Sequence, residues 1–418
     1  MIGNFKRFDM SKKPTSQRRF LTPITWAISF PSKWRHRSKI EKHGLEGIKP
    51  PYLLLCNHNC FLDFKIMTAA IFPRRANYVV AIDGFIKREW LLRNAGGIGV
   101  RKFTNAAQLV RNMVYAKNKG NIIVLYPEAR YSLCGAQAVL PDSIGKFVRL
   151  LDIPVVMLLM HGHHITAPFW GTKARKLQSL RAEMKLLLTQ EQTQQLTPAE
   201  INEKVRASFV YDDFAWQKAN NLHVNSRDRA EGLHKVLYQC PHCRTEYKME
   251  SAKHELFCTS CGKRWEMTTL GELRAEGGET EFSHIPDWYE WERENVRAEV
   301  ERGEYSFFAK AHVDSLPNAR GFIDLGEAEL THNMEGFTLR GKLGGEAYEK
   351  RWKPRELYSC HIEYNYLKKH GDCIDLNTIT DTLYIYPEGE GISVTKIALA
   401  TEELYKNATA EREAAKSN

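Results

Sequence analysis

Four short apolar runs, separated by segments of helical character, constrain the fold more than any other feature of this sequence. They lie at residues 52–56, 78–82, 122–126 and 153–159. Strands that are apolar on both faces and alternate with helices are typical of a largely parallel sheet covered by helices. Thr197 and Glu200 have the spacing of a capping box, which predicts a helix from there towards residue 220. We therefore expect an α/β domain over residues 45–220.

The carboxyl-terminal half has a different character. Residues 235–270 contain a small cysteine module, and residues 271–304 are acidic and aromatic, which predicts a helical linker. Residues 305–418 contain short alternating strands broken by glycine pairs, followed by a polar segment. This pattern indicates an antiparallel β domain with a carboxyl-terminal helix. Several domains are expected because 418 residues exceed what one ordinary core holds.

Positive charge is concentrated at the amino terminus. Residues 1–44 hold eleven Lys and Arg against two acids, a net charge of +9 out of +10 for the whole chain. Within them, residues 20–31 form an apolar patch that includes Trp26 and Phe30. Cations around such a patch suit an anionic membrane, where each contributes about 1 kcal/mol. We expect a membrane-surface arm. Packing on the α/β domain is the first alternative, and nucleic-acid binding is the least favoured.

Location follows from what the sequence lacks. It has no run of about 18 apolar residues and no apolar secretory core, so we expect a peripheral protein at the cytoplasmic face of the cell membrane, or otherwise a cytoplasmic one. Nine cysteines in such a chain do not indicate a disulfide framework. Five of them are best interpreted as small buried hydrophobes: Cys56, Cys60, Cys134, Cys360 and Cys373.

The other four cysteines form two Cys-x-x-Cys pairs. Cys240 and Cys243 are separated from Cys258 and Cys261 by fourteen residues, a spacing that predicts a structural Zn²⁺ site in a zinc ribbon. Four thiolates leave no position for water, so we do not expect catalysis by the metal. A redox pair is the alternative, which two matched pairs disfavour. Charges of both signs in the module favour a scaffolding role between domains.

Polar residues that could carry chemistry follow two of the apolar runs. His58 and Asp63 come after the first, and Glu128 and Arg130 come after the third. Carboxyl ends of parallel strands meet at one edge of a sheet, so we expect a shared site. An imidazole oriented by a carboxylate can remove a proton from a hydroxyl, and Glu and Arg can clamp an anionic substrate. Ordinary alternatives are a core histidine and a helix-capping aspartate.

Three histidines follow the fourth run, at His161, His163 and His164. They could line the same cleft or bind a metal. We favour a polar loop at a strand end.

Four blocks of this sequence, in order, resemble the glycerolipid acyltransferases with a His-x4-Asp motif. They are Asn57-His58-x4-Asp63, residues 96–102 (GGIGVRK), residues 126–130 (YPEAR) and residues 153–156 (IPVV). The resemblance covers about residues 45–175. The second block ends in Arg101-Lys102 where the family commonly has Asp-Arg, and lysine offers a point charge instead of a bidentate fork. Arg130 follows Glu128 by two residues, where three are common.

The resemblance implies transfer of a fatty acyl group from acyl-CoA or acyl-carrier protein to the hydroxyl of a lysophospholipid such as 1-acylglycerol 3-phosphate. It implies that His58 is the general base and that Asp63 orients it. The acceptor phosphate would be bound by Arg130, Lys102 and Arg101, with Glu128 holding one of these cations or an acceptor hydroxyl. A basic face would also suit an acidic carrier protein.

A second interpretation is a membrane-associated adaptor or lipid sensor on a degenerate acyltransferase fold. The altered third block and the large carboxyl-terminal half motivate it. Strands followed by a helix in residues 305–416 resemble a pleckstrin-like lipid-binding module. The intact His58 and Asp63 pair favours the enzyme, because an adaptor does not need both residues.

Overall fold

The computed structural model describes Gly3, residues 5–104 and residues 107–417, except for the side chains of residues 416 and 417. Residues 1, 2 and 4 of the expected arm and the side chain of Lys416 therefore lie outside the described part. The strands of the first sheet are β1 (Lys39–His43), β2 (Leu53–Cys56), β3 (Ala76–Ala81), β4 (Gly97–Val100), β5 (Ile122–Leu125), β6 (Val155–His161) and β7 (Arg181–Leu188).

The first sheet has the spatial order β1-β7-β6-β2-β5-β3-β4. Strands β6, β2, β5, β3 and β4 are mutually parallel, whereas β7 runs antiparallel to β6 and parallel to β1. All four residues of the central strand β2 are apolar and fully buried, as expected for a strand covered on both faces. This arrangement confirms the expected mostly parallel α/β sheet.

Helices cover this sheet. They are α1 (Thr22–Arg35), α2 (Leu62–Ile71), α3 (Glu89–Asn94), α4 (Ala107–Asn118), α5 (Ile144–Leu151), α6 (His163–Thr166), α7 (Gln190–Gln195), α8 (Pro198–Ser208) and α9 (Asp213–Ala219). Short 3-10 turns lie at Arg19–Leu21 and Ile82–Phe85. The capping box at Thr197 and Glu200 is present. The single helix expected to residue 220 is two helices, because Asp212 caps a new one by accepting the backbone N–H of Ala215 at 2.8 Å.

The basic amino-terminal segment is folded onto the α/β domain. Helix α1 packs on α2, with the Trp26 and Phe30 rings 4.7 and 5.2 Å from the Phe72 ring. Strand β1 pairs with β7, so the sheet begins inside the stretch expected to be an arm. On its outer side α1 continues an exposed apolar row of Phe20, Ile24 and Ile28.

The cysteine module forms a small antiparallel sheet of order β11-β10-β9-β8. Its strands are β8 (Met249–Ala252), β9 (Glu255–Cys258), β10 (Arg264–Met267) and β11 (Leu273–Ala275), and a 3-10 turn at Leu233–Lys235 precedes them. The long helix α10 (Ile285–Glu301) follows, within the stretch 271–304 whose first part contributes β11 to the module. The module rests on α10 through Trp265 and Trp288, whose ring centroids are 5.1 Å apart.

The carboxyl-terminal domain is an antiparallel sheet followed by a helix, as the sequence predicts. Its elements are β12 (Ser306–Leu316), β13 (Ile323–Asn333), β14 (Gly336–Leu343), β15 (Glu346–Trp352), β16 (His361–Glu363), β17 (Cys373–Asn377), β18 (Thr382–Glu388) and α11 (Val394–Ser417), with 3-10 turns at Pro354–Glu356 and Tyr366–Lys368. The order is β15-β14-β13-β12-β18-β17-β16, with antiparallel pairing throughout. The pleckstrin-like interpretation stays a prediction.

Helix α11 holds the domains together. It begins at Val394, and the residues around Ile397 and Leu404 are buried. It packs on α10, which in turn supports the cysteine module. Among the described residues, no helix has both the length and the apolarity needed to cross a bilayer.

Candidate active site

His58 and Asp63 meet where the carboxyl end of β2 turns into α2. The Nδ1 atom of His58 lies 2.9 Å from Oδ2 of Asp63. An ionised carboxylate only accepts hydrogen bonds, so Nδ1 carries a proton, and in the neutral imidazole the lone pair is then on Nε2. The imidazole stacks on Tyr126, with ring centroids 4.1 Å apart and an interplanar angle of 28°. The pair therefore has the contact and the tautomer that a general base requires.

The carboxylate of Asp63 is fully buried and accepts four hydrogen bonds, the first of them from His58. Its Oδ2 atom also accepts the backbone N–H groups of Asn59 and Cys60 at 2.5 and 3.0 Å. Its Oδ1 atom accepts Nδ1–H of His163 at 2.7 Å. Burial alone would raise the pKa of Asp63, but the hydrogen bonds and charges of His163 and His58 outweigh it and lower this pKa to about 2. The group thus stays ionised, as an orienting carboxylate must.

Glu128 contacts the backbone of His58. Its Oε2 atom accepts the backbone N–H of His58 at 2.7 Å, and its Oε1 atom accepts Ala138 N–H and Tyr211 O–H at 2.9 and 3.1 Å. Burial raises the pKa of Glu128 to about 7, against the lowering effect of these two backbone donors. Glu128 therefore positions the loop that carries His58. Within the described residues, none of its hydrogen bonds goes to a cation.

His58 opens onto a cavity of about 610 Å³. Its walls are the strand ends and the facing sides of α4 and α5, with apolar side chains such as Leu109, Met113 and Phe147. Residues of the carboxyl-terminal domain, Tyr358 and Tyr405 among them, close one side. The cavity therefore combines a basic nitrogen at one end with a largely apolar channel.

Arg130 does not point a free charge into this cavity. Its side chain is 4 % exposed, and its Nη2 atom lies 2.6 Å from Oε1 of Glu402 in α11. The other oxygen of Glu402 is 2.6 Å from Nη1 of Arg293 in α10, and Ser359 Oγ donates to Oε1 at 2.7 Å. Burial alone would lower the pKa of Arg130, but the charge of Glu402 outweighs it and raises this pKa. The arginine of the third block thus holds the carboxyl-terminal helix.

The two cations of the second block are also engaged by the carboxyl-terminal domain. Arg101 donates to the carbonyls of Leu316 and Pro317 and to Oγ1 of Thr382, at 3.1, 3.0 and 2.8 Å. Nζ of Lys102 lies 3.6 Å from Oδ2 of Asp375. The role of these residues in phosphate binding stays a prediction. In this structure they fasten the two domains together.

The glycines of the second block are explained by packing. They form the edge strand β4 and the turn before it, in which Gly96 has a φ of +97°. A Cβ at this position would lie 2.5 Å from the carbonyl oxygen of Ala76. Only glycine fits here, and nothing about this requirement involves a phosphate.

The histidine turn contains one residue that contacts the His58 and Asp63 pair, which is the alternative that the sequence analysis did not favour. His163 binds Asp63 from the side opposite His58 and is fully buried. His164 is buried between Phe214 and Trp170, and burial lowers its pKa to about 3. His161 stacks on Trp216. The preferred interpretation as a polar loop is therefore wrong for His163, which is buried beside the His58 and Asp63 pair.

The four predicted cysteines come together. Their sulfur atoms all lie within 4.8 Å of one another. Cys240 Sγ is 3.8 Å from Cys261 Sγ, and Cys243 Sγ is 3.8 Å from Cys258 Sγ. A tetrahedral ion with Zn–S bonds of about 2.3 Å has sulfur atoms about 3.8 Å apart. The cluster is thus compatible with a structural metal ion.

Comparison with known proteins assigns the amino-terminal part of the chain. Residues 39–161 match the family model described as Acyltransferase. This segment, which is less than a third of the chain, is similar to acyltransferases and is hereafter called the acyltransferase domain. The search of curated proteins finds no match. The acyltransferase domain carries the His58 and Asp63 pair, all of the second and third blocks, and most of the first sheet.

Among solved structures, the chain is similar to that of the 1-acyl-sn-glycerophosphate (LPA) acyltransferase PlsC from Thermotoga maritima. The match covers 46% of this chain and 82% of that chain, at 12% sequence identity and a TM-score of 0.35. A similarity this low carries no argument about substrates. The fold assignment rests on the sheet itself and on the family model.

Proposed function

We propose that the protein transfers a fatty acyl group from a thioester to the hydroxyl of a lysophospholipid such as 1-acylglycerol 3-phosphate. The observation that carries the proposal is the 2.9 Å contact between His58 and Asp63 inside an acyltransferase domain, at the end of a largely apolar cavity. An apolar channel beside a base suits a substrate with a hydrocarbon chain. The acyl donor is acyl-CoA or acyl-carrier protein.

The mechanism follows from the tautomer of His58. Nδ1–H is held by Asp63, so Nε2 removes the proton of the acceptor hydroxyl as its oxygen attacks the thioester carbonyl. The tetrahedral intermediate then expels the carrier thiolate, which takes the proton back from the imidazolium. Asp63 stabilises the imidazolium between these steps, and its second oxygen stays fixed by His163. The buried thiol of Cys60 donates towards the His163 carbonyl and takes no part.

The protein acts at a membrane surface in this proposal, because both the acceptor and the product are lipids. Helix α1 supports it through the exposed row of Phe20, Ile24 and Ile28, which are spaced four residues apart and so share one face. The row lies between the exposed cations Arg19 and Arg35. Such a face suits the cytoplasmic leaflet, to which its cations are drawn electrostatically.

The metal of the four-cysteine cluster is Zn²⁺ in this proposal, and its role is structural. The two 3.8 Å sulfur pairs fit a closed tetrahedral site with no position for water. Through Trp265 and α10 the cluster supports α11, and through α11 it supports the partner of Arg130. Zinc thus stabilises the carboxyl-terminal side of the cleft from a distance.

The test is acyl transfer from radiolabelled acyl-CoA, and in a parallel reaction from acyl-carrier protein, to a panel of lysophospholipids in vesicles. Wild type and His58→Ala are run side by side, with His43→Ala as an exposed histidine control. We expect transfer by wild type and by His43→Ala, with loss in His58→Ala. A folded, zinc-loaded and vesicle-bound wild type without transfer to any acceptor would contradict the enzymatic proposal.

The second candidate is a membrane-associated adaptor or lipid sensor. The ion pairs of Arg130 with Glu402 and of Lys102 with Asp375 favour it, because both block cations serve the domain interface. An adaptor needs this interface and does not need His58. Vesicle binding that is unchanged in His58→Ala, together with no acyl transfer by wild type, would establish the adaptor in place of the enzyme.

A further inference from the structure

The cations of the second and third blocks are engaged by the carboxyl-terminal domain. Arg101 and Lys102 line the cavity, but Lys102 and Arg130 face carboxylates, and Arg101 is 2 % exposed and donates through Nη1 and Nη2 to the carboxyl-terminal domain. Both the thioester carrier and the lysophospholipid of the proposed reaction bear phosphate. Among the described cations that line this cleft, those with neither a carboxylate nor a backbone carbonyl as partner lie outside the blocks.

Such cations surround the far end of the cavity. A second space of about 450 Å³ lies beside the one at His58 and has Lys146, Arg355 and Arg412 in its walls. The two spaces adjoin, because five residues line both of them: Asp142, Ser143, Lys146, Arg355 and Tyr405. His58 belongs to the first space alone. A ligand could thus reach from the base, through the apolar channel, to this cationic mouth.

The cations of the mouth come from three separate segments of the chain. Lys146 lies on α5 of the acyltransferase side, Arg355 in the 3-10 turn after β15, and Arg412 on α11. Within the described part of the chain, no carboxylate lies within ion-pair distance of any of the three. Neutralisation by a neighbouring acid therefore does not account for three positive charges in one place.

The other groups at the mouth add donors for an anion. Hydroxyl groups are supplied by Ser143, Tyr405 and Thr409. The acids present are Asp142, which is ion-paired with Arg206, and Glu413. Guanidinium and ammonium groups with nearby hydroxyls are the donor set that proteins use for phosphate.

We propose that the mouth formed by Lys146, Arg355 and Arg412 binds the phosphate of the thioester carrier, which is the phosphopantetheine phosphate or the further phosphates of coenzyme A. The inference rests on the proposed function. In a carrier thioester, a long uncharged pantetheine arm separates the reactive carbonyl from the phosphates, as the apolar channel separates His58 from the mouth. In 1-acylglycerol 3-phosphate the phosphate is only a few bonds from the hydroxyl, so it cannot lie at the far end while the hydroxyl meets His58.

The test is direct binding of coenzyme A and, in a parallel arm, of phosphopantetheine-loaded acyl-carrier protein by isothermal titration calorimetry. Wild type is compared with Arg355→Gln/Arg412→Gln, and Arg227→Gln serves as an exposed arginine control in the loop before the cysteine module. Loss of a charge-assisted contact weakens binding by roughly tenfold, so the double variant should bind the preferred carrier at least about tenfold more weakly. The control should bind like wild type.

The outcomes separate this inference from the proposed function. Carrier binding that depends on Arg355 and Arg412 supports the subsite even if no acyl transfer is seen. In active enzyme the double variant should raise KM for the acyl donor and leave KM for the lysophospholipid unchanged. Equal binding of both carriers to wild type and double variant, no binding of either carrier to wild type, or a rise in the acceptor KM alone would overturn the inference.

Discussion

Replacing Glu402 by glutamine tests how the carboxyl-terminal helix is joined to the acyltransferase domain. The carboxylate of Glu402 lies between Arg130 and Arg293, at 2.6 Å from each guanidinium. All three side chains are nearly or fully buried. Glutamine keeps the size of the side chain but removes its charge, which leaves Arg130 with only a neutral acceptor. Arg293, by contrast, keeps Glu403 at 3.3 Å and Glu290 at 3.2 Å.

The expected cost follows from the burial of the ion pairs. Removing one partner of a buried pair costs about 3–5 kcal/mol, since the remaining charge has lost its solvation and its partner. At about 2 °C per kcal/mol for a large domain, Tm should fall by roughly 6–10 °C. The pKa of Glu402 is lowered because Arg130 and Arg293 outweigh the opposing effect of burial. Its stabilisation is therefore present above the ordinary carboxyl pKa and is lost as the pH falls through the lowered one, so the deficit of the variant should shrink in acid.

Thermal unfolding followed by circular dichroism measures this effect, with Glu411→Gln as the control on the exposed part of the same helix. The control should change Tm by less than about 1 °C. A double-mutant cycle that combines Glu402→Gln with Arg130→Met should show a coupling free energy of unfolding of about 1–3 kcal/mol, because the two side chains are in contact. A shift below about 2 °C for Glu402→Gln, or no coupling with Arg130→Met, would refute the account of the interface.

Three further expectations follow from the site and the cysteine module. Asp63→Asn should keep the fold and lower kcat by about 10³–10⁴, because the imidazolium loses its partner; a loss below tenfold in the transfer assay would contradict this. Removing the metal with a chelator, or Cys258→Ser, should raise the solvent exposure of the buried Trp265, seen as a red shift of its fluorescence; an unchanged spectrum would speak against a structural ion. Burial raises the pKa of Glu128 from about 4.5 to about 7, so its contribution to stability is complete below about pH 4.5 and is lost as the pH rises through 7, a change of about 3 kcal/mol. Wild type should therefore lose stability relative to Glu128→Gln between pH 5 and 8, and a pH-independent difference would refute the raised pKa.

Much of the first domain could be predicted because its signals are local. The apolar run at residues 52–56 became the fully buried β2, and the end of this strand is where His58 and Asp63 meet. The cysteine pairs needed only their spacing to predict the cluster. In each case neighbouring residues carry the information, through burial on both faces or through a tight turn with two sulfur atoms.

The partners of the block cations could not be predicted, because they lie hundreds of residues away. Glu402 belongs to a helix that looks polar in sequence, and its burial depends on how α11 packs on α10. Asp375 similarly meets Lys102 only through the docking of two domains. His163 carried a weak signal, since it directly follows the strand that neighbours β2. Strand order, which the sequence does not reveal, places it beside Asp63.

These contacts give the carboxyl-terminal half a structural role in the cleft. Its side chains close one side of the cavity at His58, and its carboxylates hold the cations of the acyltransferase blocks. Substitutions at Glu402 or Asp375 are therefore expected to shift the loops that carry Arg130 and Lys102, and with them the cavity at His58. The cysteine module contributes to the same support because it rests on α10.

The most direct test of the proposed function is the ratio of acyl-transfer rates of wild type and His58→Ala, measured on vesicles that contain lysophosphatidic acid. General-base catalysis contributes about 10²–10⁴ in rate, so the account predicts that the variant retains less than about one hundredth of the wild-type rate. Circular dichroism and metal content should be the same for both proteins. A variant that retains more than about a tenth of the wild-type rate would show that His58 is not the base.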